Sequence, residues 1–514
     1  MIKSLQRIVH RLVQLARRAL EPGFDGPMNP LNHLGSLTIF FCWIVLVSGV
    51  WLLIFFRTSV SGAYDSVEYL THEQWFIGGI MRSLHRYASD AAIVTVALHI
   101  AKEFSYDNYR HKRWFSWVTG VPLLWMLFPL GITGYWLVWD ELAQFVALSS
   151  AEFIDWLPFL TNYMARNFLT QEGLSDRFFT LMAFIHLVGL PIFFVFGIWI
   201  HVFRLNKPRI NPPRMLMTGV SLAFVVLSIV YPAVSHERAN LDQVPQNVGL
   251  DWFYLPVYPL IESGSPGWAW FFLASVTMLL VVAPWIPRSK ADPVAIVNLD
   301  FCNGCERCVA DCPFGAVHME LRSDGQPYAL EARVDPELCV SCGLCVGACP
   351  TATAFRTRSA LLPGIDLPEI PAAQLREQMQ AVSARLDETQ QVMVIACQAS
   401  PVSSAMRGQG QPLVEVKCLG QLPPPFLDYA ISRGRARGVL LAGCEGGDCK
   451  YRYGIRWTEE RIARKRDPQL RGRIDARRIA FQWDEAWSGK PLAAVLREFA
   501  VRLKDIEQDT EGRQ

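Results

Sequence analysis

Four histidines and twelve cysteines carry most of the chemistry open to this 514-residue sequence. His85 and His99 are 14 residues apart, and His186 and His201 are 15 apart, in two long apolar stretches. Four helical turns take about 14.4 residues, so each pair shares one helix face, its members ~21–22 Å apart along the axis. Such a span lies within the ~30 Å depth of a hydrocarbon core, where a histidine is costly enough to imply function. Two helices that each offer a high and a low imidazole suit two stacked haems, each with two axial histidines. Gly35 and Gly49, and Gly120 and Gly134, repeat the 14-residue interval and match the two levels. A missing side chain there lets a flat porphyrin or another backbone come close. Arg82, Arg86 and Arg204 are placed to meet propionates, and interfacial snorkelling accounts for each equally well.

Eight cysteines form two copies of one pattern, Cys302-x2-Cys305-x2-Cys308-x3-Cys312-Pro313 and Cys339-x2-Cys342-x2-Cys345-x3-Cys349-Pro350. This is the bacterial ferredoxin spacing, in which a close triplet takes three corners of a [4Fe-4S] cubane and the distant cysteine ligates the other cluster. One cluster is expected on Cys302, Cys305, Cys308 and Cys349, and the other on Cys339, Cys342, Cys345 and Cys312. Four further cysteines follow. Cys397, Cys418 and Cys444 end short apolar runs at 391–396, 413–417 and 439–443, and Cys449 lies five residues beyond the last. Sites gather at the carboxyl edge of a parallel sheet, so these four are expected at one metal centre. Four thiolates suit a [2Fe-2S] cluster and a structural zinc alike. Because twelve of the thirteen cysteines lie beyond residue 300 in ligand spacings, that region belongs in a reducing compartment. Cys42, inside the first apolar stretch, reads as packing.

The elements that must position these residues change character along the chain. Residues 1–25 form a basic amphipathic helix, with Ile2, Leu5, Val9, Leu12, Ala16 and Leu20 on one side, suited to an anionic lipid surface. Six membrane spans are expected at 34–56, 78–101, 115–138, 178–203, 215–234 and 268–286. Lys102, Arg110, Lys112 and Arg113 follow the second, and Arg204, Lys207, Arg209 and Arg214 follow the fourth. The positive-inside rule then makes the N-terminus and everything after the sixth span cytoplasmic, with His99 and His201 near that face and His85 and His186 near the outer one. The expected domains are a membrane domain at 30–286, a cluster domain at 295–358, a linker and helix at 359–390, and a domain at 391–505. The fold class is therefore multidomain: an all-α transmembrane di-haem bundle, an α+β ferredoxin-like domain and a small α/β domain with a parallel sheet. A net charge of +2 gives no reason to expect a nucleic-acid partner.

The stretches Ser83-Leu84-His85-Arg86, Trp117-Val118-Thr119-Gly120, Gly131-Ile132-Thr133-Gly134-Tyr135 and Trp139-Asp140, together with the two histidine pairs, resemble cytochrome b of quinol-oxidising bc-type complexes. The resemblance implies that His85 and His186 hold one b haem, on the outer side, and His99 and His201 the other. It also picks out Leu250-Asp251-Trp252-Phe253-Tyr254, which is similar to that family's Pro-Glu-Trp-Tyr segment, with Leu, Asp and Phe in three of the four places. By that likeness Asp251 is the proton acceptor of an outer quinone site, with Trp252 and Phe253 beside it. An interfacial loop anchored by Trp252, Tyr254 and Tyr258 is the plainer reading of the same residues.

The segment Cys444-Glu445-Gly446-Gly447-Asp448-Cys449-Lys450-Tyr451-Arg452-Tyr453-Gly454 resembles the delta subunit of methyl-viologen-reducing hydrogenase. That family implies a [2Fe-2S] cluster on Cys397, Cys418, Cys444 and Cys449 and a cytoplasmic partner, a flavoprotein or a dehydrogenase or heterodisulfide-reductase-like subunit. The chain lacks flavin and nicotinamide fingerprints, so it reads as an oxidoreductase subunit that needs a catalytic partner. The expected function is electron transfer between that partner and the quinone pool in the inner membrane of a prokaryote, with a homodimer through the membrane domain. Inward flow from quinol to a low-potential acceptor, and a non-catalytic haem or iron–sulfur anchor or sensor, are the contrasting expectations.

Overall fold

Where hydrocarbon excludes water, every peptide group must bond within its own segment, so the apolar runs of the first 286 residues form helices. The structure, a computed structural model, describes residues 2–24, 28–157, 174–243, 245, 248–286, 292–356, 361–386, 391–408, 412–444, 449–483 and 492–511. Two units divide the chain: residues 1–13, 33–203 and 208–287 form the first, and residues 14–32, 204–207 and 288–514 the second.

In the first unit, α1 (Ile2–Leu20) turns Leu5, Ile8, Leu12 and Leu15 outward as an apolar face. The helices α2 (Leu34–Phe55) and α3 (Ile80–Ser105) pack along each other, as do α4 (Trp114–Val138) and α7 (Leu190–Val202). Further helices are α5 (Glu141–Asp155), α6 (Asp176–Phe184), α8 (Arg214–Val230) and α9 (Pro266–Val282). Of the six expected spans, four segments among the described residues are long and apolar enough to cross a bilayer: Leu34–Phe55, His111–Val138, Asp176–Val202 and Pro266–Trp285. The second expected span, α3, differs because it carries Arg82, Arg86, Asp90, Lys102 and Glu103, and the fifth, α8, has only 17 residues. Exposed Trp43, Val47, Ile54, Phe193, Val195 and Trp199 give α2 and α7 the surface of helices that face lipid.

Two features of this unit were not foreseen. The acid-rich connection after α4 folds as α5, capped by Asp140, whose carboxylate accepts from Ala143 N. Its apolar side takes up the last loop, where Ser150 Oγ lies 2.7 Å from Tyr258 OH and Ser149 bonds Glu262. A π turn at Ile185–Gly189 joins α6 to α7 and contains His186, consistent with the frequency of π turns at functional positions.

The second unit contains two kinds of sheet. The hairpin β1 (Val317–Leu321) and β2 (Leu330–Val334) is antiparallel, beside two five-residue helices, α10 (Arg307–Asp311) and α11 (Leu344–Ala348). The parallel sheet has β3 (Val392–Cys397) between β4 (Val414–Val416) and β5 (Gly438–Ala442), with β6 (Ile479–Gln482) beyond β5. Met393, Ile395 and Cys397 face a layer holding α12 (Ala372–Arg385) and α13 (Pro424–Ser432). Val392, Val394 and Ala396 face α15 (Leu492–Glu511). A sheet covered on both sides explains why its strands read as unbroken apolar runs. The segment expected as linker and helix thus supplies part of the core through Leu375, Met379 and Val382. β6 was not anticipated, since Ile479-Ala480-Phe481 is a short run among arginines.

Candidate redox centres

His85 on α3 and His186 in the π turn face each other with ring centroids 6.3 Å apart. A metal bonded to both at the ~2.0–2.1 Å usual for imidazole nitrogen, which itself lies ~1.1 Å from the ring centre, would need ~6.2–6.4 Å. The outward nitrogens are already committed. His85 Nδ1 lies 2.9 Å from Val45 O and 3.2 Å from Ser48 Oγ. A carbonyl only accepts, so Nδ1 carries the proton and donates it. Ser48 gives its own hydroxyl proton to Ile44 O at 2.7 Å, which leaves its oxygen free to accept. Nε2 keeps a bare lone pair, the form of imidazole that ligates a metal.

The arrangement recurs twice. His186 Nδ1 is 3.0 Å from Thr133 Oγ1, which donates to Pro129 O, and bonds the Leu130 backbone. His201 Nδ1 is 3.3 Å from Thr119 Oγ1, which donates to Phe115 O, and bonds the Ser116 backbone. His201 stands beside His99, whose Nδ1 is 3.9 Å from Glu103 Oε1. Each hydroxyl directly precedes a glycine, in Ser48-Gly49, Thr119-Gly120 and Thr133-Gly134, and each carbonyl lies four residues before that glycine. The histidine spacing gives no hint of this second layer, but the Ser/Thr-Gly pairs do.

The four glycines meet imidazole edges. A Cβ would stand 3.0 Å from His85 Cε1 at Gly49, 3.1 Å from His201 Cε1 at Gly120, 3.0 Å from His186 Cε1 at Gly134, and 3.5 Å from His99 Cε1 at Gly35. What approaches each glycine here is thus a ligand ring, not a bare backbone. The arginines also have protein partners. Arg82 bonds Thr71 and Ser235 and pairs with Glu68 at 3.6 Å. Arg86 pairs with Asp90 and Asp251, each at 3.1 Å, and lies over the Tyr135 ring. Arg204 belongs to the second unit.

Asp251 is only 5% exposed, held by Arg86, by the Tyr135 hydroxyl at 2.5 Å and by Phe253 N at 2.6 Å. Arg86 and Tyr135 both meet Oδ2 and Phe253 N meets Oδ1, which leaves Oδ1 with room for one further hydrogen. Trp252 is 81% exposed, and Phe253 is also exposed. Tyr254 reaches inward to donate to Ser89 O at 2.8 Å. A side chain at Gly131 would lie 2.2 Å from its ring, so the glycine of Gly131-Ile132-Thr133 makes room for Tyr254.

In the second unit Cys349 is among the neighbours of Cys308, and Cys312 among those of Cys345. Burial pushes the Cys308 thiol up to about 12, and Cys305, Cys349 and Cys302 add to the rise as neighbours. Burial likewise raises Cys345, and Cys342, Cys312, Cys339 and Cys308 add to the rise. A pocket lies among Cys312, Cys339, Cys342 and Cys345, walled by Phe314 and Leu344. The donor set and the space both fit a thiolate-bound cluster. Ala316 N already bonds Cys312 Sγ at 3.2 Å, as backbone amides do around cluster sulfurs. Residues 204–207 also belong here, since Asn206 Nδ2 donates to Cys312 O at 2.9 Å and Arg452 to Asn206 O at 2.8 Å.

At the carboxyl edge of the parallel sheet four thiols close a ring: Cys397 bonds Cys418 and Cys444, and both of these bond Cys449. Those bonds pull Cys397 and Cys449 down and push Cys418 and Cys444 up, as four thiols in mutual contact must share their protons. Among the described residues no three His, Cys, Asp or Glu side chains are spaced for a single metal ion. Leu419 N donates to Cys397 Sγ at 3.2 Å, and the Tyr451 and Ile455 amides donate to Cys449. The helix α14 (Gly454–Ile462) begins at this ring, where a Cβ on Gly454 would fall 2.1 Å from Cys418 Sγ. Residues 445–448 of the motif between Cys444 and Cys449 lie outside the described residues.

Three family models match in N-to-C order: cytochrome b/b6/petB over residues 25–209, a 4Fe-4S dicluster domain over 301–353, and the delta subunit of methyl-viologen-reducing hydrogenase over 387–507. Among curated relatives, cytochrome b6 of Prochlorothrix hollandica is 25% identical over 186 residues, 36% of this chain and 83% of that protein. The menaquinol:cytochrome c reductase cytochrome b subunit of Bacillus subtilis (strain 168) is 34% identical over 135 residues, 24% of this chain and 60% of that one. Its counterpart from Geobacillus thermodenitrificans is 31% identical over 140 residues, 26% of this chain and 62% of its own length. A solved chain titled "Hyperthermophilic respiratory Complex III" aligns with 51% of this chain and 76% of its own, at 19% identity and a TM-score of 0.41. The chain therefore joins a cytochrome b-like, membrane-embedded domain to an iron–sulfur domain and a hydrogenase-delta-like domain.

Proposed function

We propose that the chain is the membrane electron-transfer subunit of a quinone-linked oxidoreductase, passing electrons between a cytoplasmic redox partner and the quinone pool. The observation that carries this reading is the facing pair His85 and His186, 6.3 Å apart with Nδ1 of each ring committed to its neighbouring helix. In this reading six helices cross the inner membrane of a prokaryote, α3 and α8 among them, and the second unit is cytoplasmic. His85 with His186, and His99 with His201, hold two b haems. The crossed cysteine sets hold two [4Fe-4S] clusters, and Cys397, Cys418, Cys444 and Cys449 hold a [2Fe-2S] cluster. These groups supply one-electron carriage when bound.

The protein's own work is to hold and to protonate. Ser48, Thr119 and Thr133 hold three ligand histidines in the tautomer that leaves Nε2 bare. Arg86 and Tyr135 hold Asp251 in place, and its carboxyl takes the proton of a quinol hydroxyl or returns it to a quinone oxygen. Backbone amides at Leu419, Tyr451 and Ile455 stabilise thiolates at the C-terminal ring.

The test is a pulse of chemically reduced partner or dithionite-reduced carrier to sealed vesicles, following haem oxidation state and membrane potential together. Haem reduction with a rise in potential supports transmembrane flow to quinone near Asp251. Haem reduction by added quinol, lost in Asp251→Ala, supports flow in the opposite direction through the same site. Haems that neither quinol nor the cluster domain reduces would sink the conduit and leave an anchor or sensor.

A further inference from the structure

The helix α14 leads from the four-thiol ring to the ferredoxin part of the second unit. At its start Gly454 lies against Cys418 and Cys449. One turn on, Trp457 donates Nε1–H to Asp311 O at 3.2 Å, and one turn further Arg461 reaches three segments at once. Its Nη2 meets Asp311 Oδ2 at 2.5 Å, its Nη1 meets Gly420 O at 2.9 Å, and Nη2 lies 3.5 Å from Leu344 O. Asp311 directly precedes Cys312, Leu344 directly precedes Cys345, and Gly420 follows Cys418 by two residues. One guanidinium therefore touches backbone or side chain next to ligands of two different centres. The segments are in direct contact, because a Cβ on Gly347 would fall 1.9 Å from Gly420 O and 2.5 Å from Arg461 Nη1.

Ordinary packing does not explain this residue. Arg461 is 1% exposed, and its Nε is buried without a hydrogen-bond partner. Burying a guanidinium is costly, and an apolar side chain of similar volume would fill the space at less expense. Asp311, 3% exposed, is also paired with Arg466, which in turn pairs with Glu460, so Arg461 is the fully buried cation of the group. A buried positive charge beside a thiolate-ligated cluster favours its reduced, more negative form.

We infer that Arg461 is the positioning residue that couples the four-thiol ring to the second ferredoxin site (Cys312, Cys339, Cys342 and Cys345) and raises the potential of both above that of the first. The first site keeps a different setting, with Cys305 exposed. In the exchange one electron leaves one centre as one enters the other, and no bond or proton moves. This inference rests on the reading that the cysteine sets hold redox clusters.

The experiment is a redox titration of the full chain followed by electron paramagnetic resonance, with iron and sulfide analysis, on native protein, Arg461→Met, Arg461→Lys and Asp311→Asn. Arg461→Met should lower the second-site potential by about 59 mV, a tenfold change in its one-electron equilibrium, while the first site and both haems stay put. Arg461→Lys should recover most of that shift. Asp311→Asn removes a negative charge and should move the same potential upward, which keeps the inference testable where Arg461→Met fails to retain clusters. An unmoved second-site potential in a cluster-replete Arg461→Met overturns it. So does a downward shift in Asp311→Asn, or an equal shift at every centre. Zinc in place of the [2Fe-2S] signal would instead overturn the cofactor proposed for the ring, and the second-site potential would still judge Arg461.

Discussion

Replacing Gly134 with alanine tests how tightly the histidine frame is built. The new methyl would sit 3.0 Å from His186 Cε1, inside the distance that Cβ atoms normally keep from carbon. Reaching ordinary contact moves the ring by roughly 0.4–0.7 Å, whereas metal–ligand distances tolerate only ~0.2 Å. The ring cannot retreat without straining its Nδ1 bonds to Leu130 and Thr133, which together are worth about 1–3 kcal/mol. Disturbing such partners typically costs 10–100-fold in affinity for the bound group, about 1.4–2.8 kcal/mol. Gly35→Ala is the matched control, because its Cβ lies at an ordinary 3.5 Å from His99. Purified variants should therefore differ in haem per chain by pyridine haemochrome assay, with Gly134→Ala losing one low-spin haem signal and Gly35→Ala keeping both. Equal haem content and identical low-spin spectra in the two variants would falsify the steric argument.

Three further outcomes are expected. Asp251→Asn keeps the shape of the site but takes one of two carboxylates from Arg86, so thermal stability should fall by about 1.5–3 kcal/mol and quinol-driven haem reduction by about 100-fold; unchanged reduction would remove Asp251 from proton transfer. Cys397→Ser opens the thiol ring and should lower non-haem iron from ~10 to ~8 per chain while both [4Fe-4S] signals persist; loss of zinc with no change in iron would assign the ring to zinc. Burial pushes the Asp366 carboxyl from 3.8 up to about 6 against the pull of the Ala372 and Leu367 amides. The folded state is then the better proton binder, so the stability Asp366 contributes is complete below pH 3.8 and lost as pH rises to about 6. Asp366→Asn should accordingly gain about 1–2 kcal/mol over native protein near pH 7.5, with the gain shrinking toward pH 4; a gain independent of pH would contradict the assignment.

Motifs whose spacing is dictated by geometry were legible before any coordinates. Four helical turns between histidines, and the two-two-three cysteine spacing, each follow from the object that the ligands surround, so residue numbers alone predict which side chains meet. The parallel sheet was legible for the same kind of reason, since strands buried on both faces leave unbroken apolar runs ending at Cys397, Cys418 and Cys444. The amphipathic α5 was not, because Asp140, Glu141, Glu152 and Asp155 read as loop until Ser149, Ser150 and Tyr258 show what its other face covers. The role of the arginines was also hidden. Charge and position suggested propionates, yet the partners of Arg86 are Asp90 and Asp251, one of them 165 residues away and brought close only by the fold. Arg461 carried no signal at all, for one arginine among several in a polar helix looks like surface.

The hydroxyl and carbonyl partners of His85, His186 and His201 have a bearing on how the protein behaves across an energised membrane. These partners are neutral hydroxyls and carbonyls, so those three imidazoles are held by dipoles alone. His99 is built differently, with the Glu103 carboxylate 3.9 Å from its Nδ1 near the end of α3. A hydroxyl or carbonyl carries no net charge on which a transmembrane field can act, whereas a carboxylate is a group of the kind that such a field does act on.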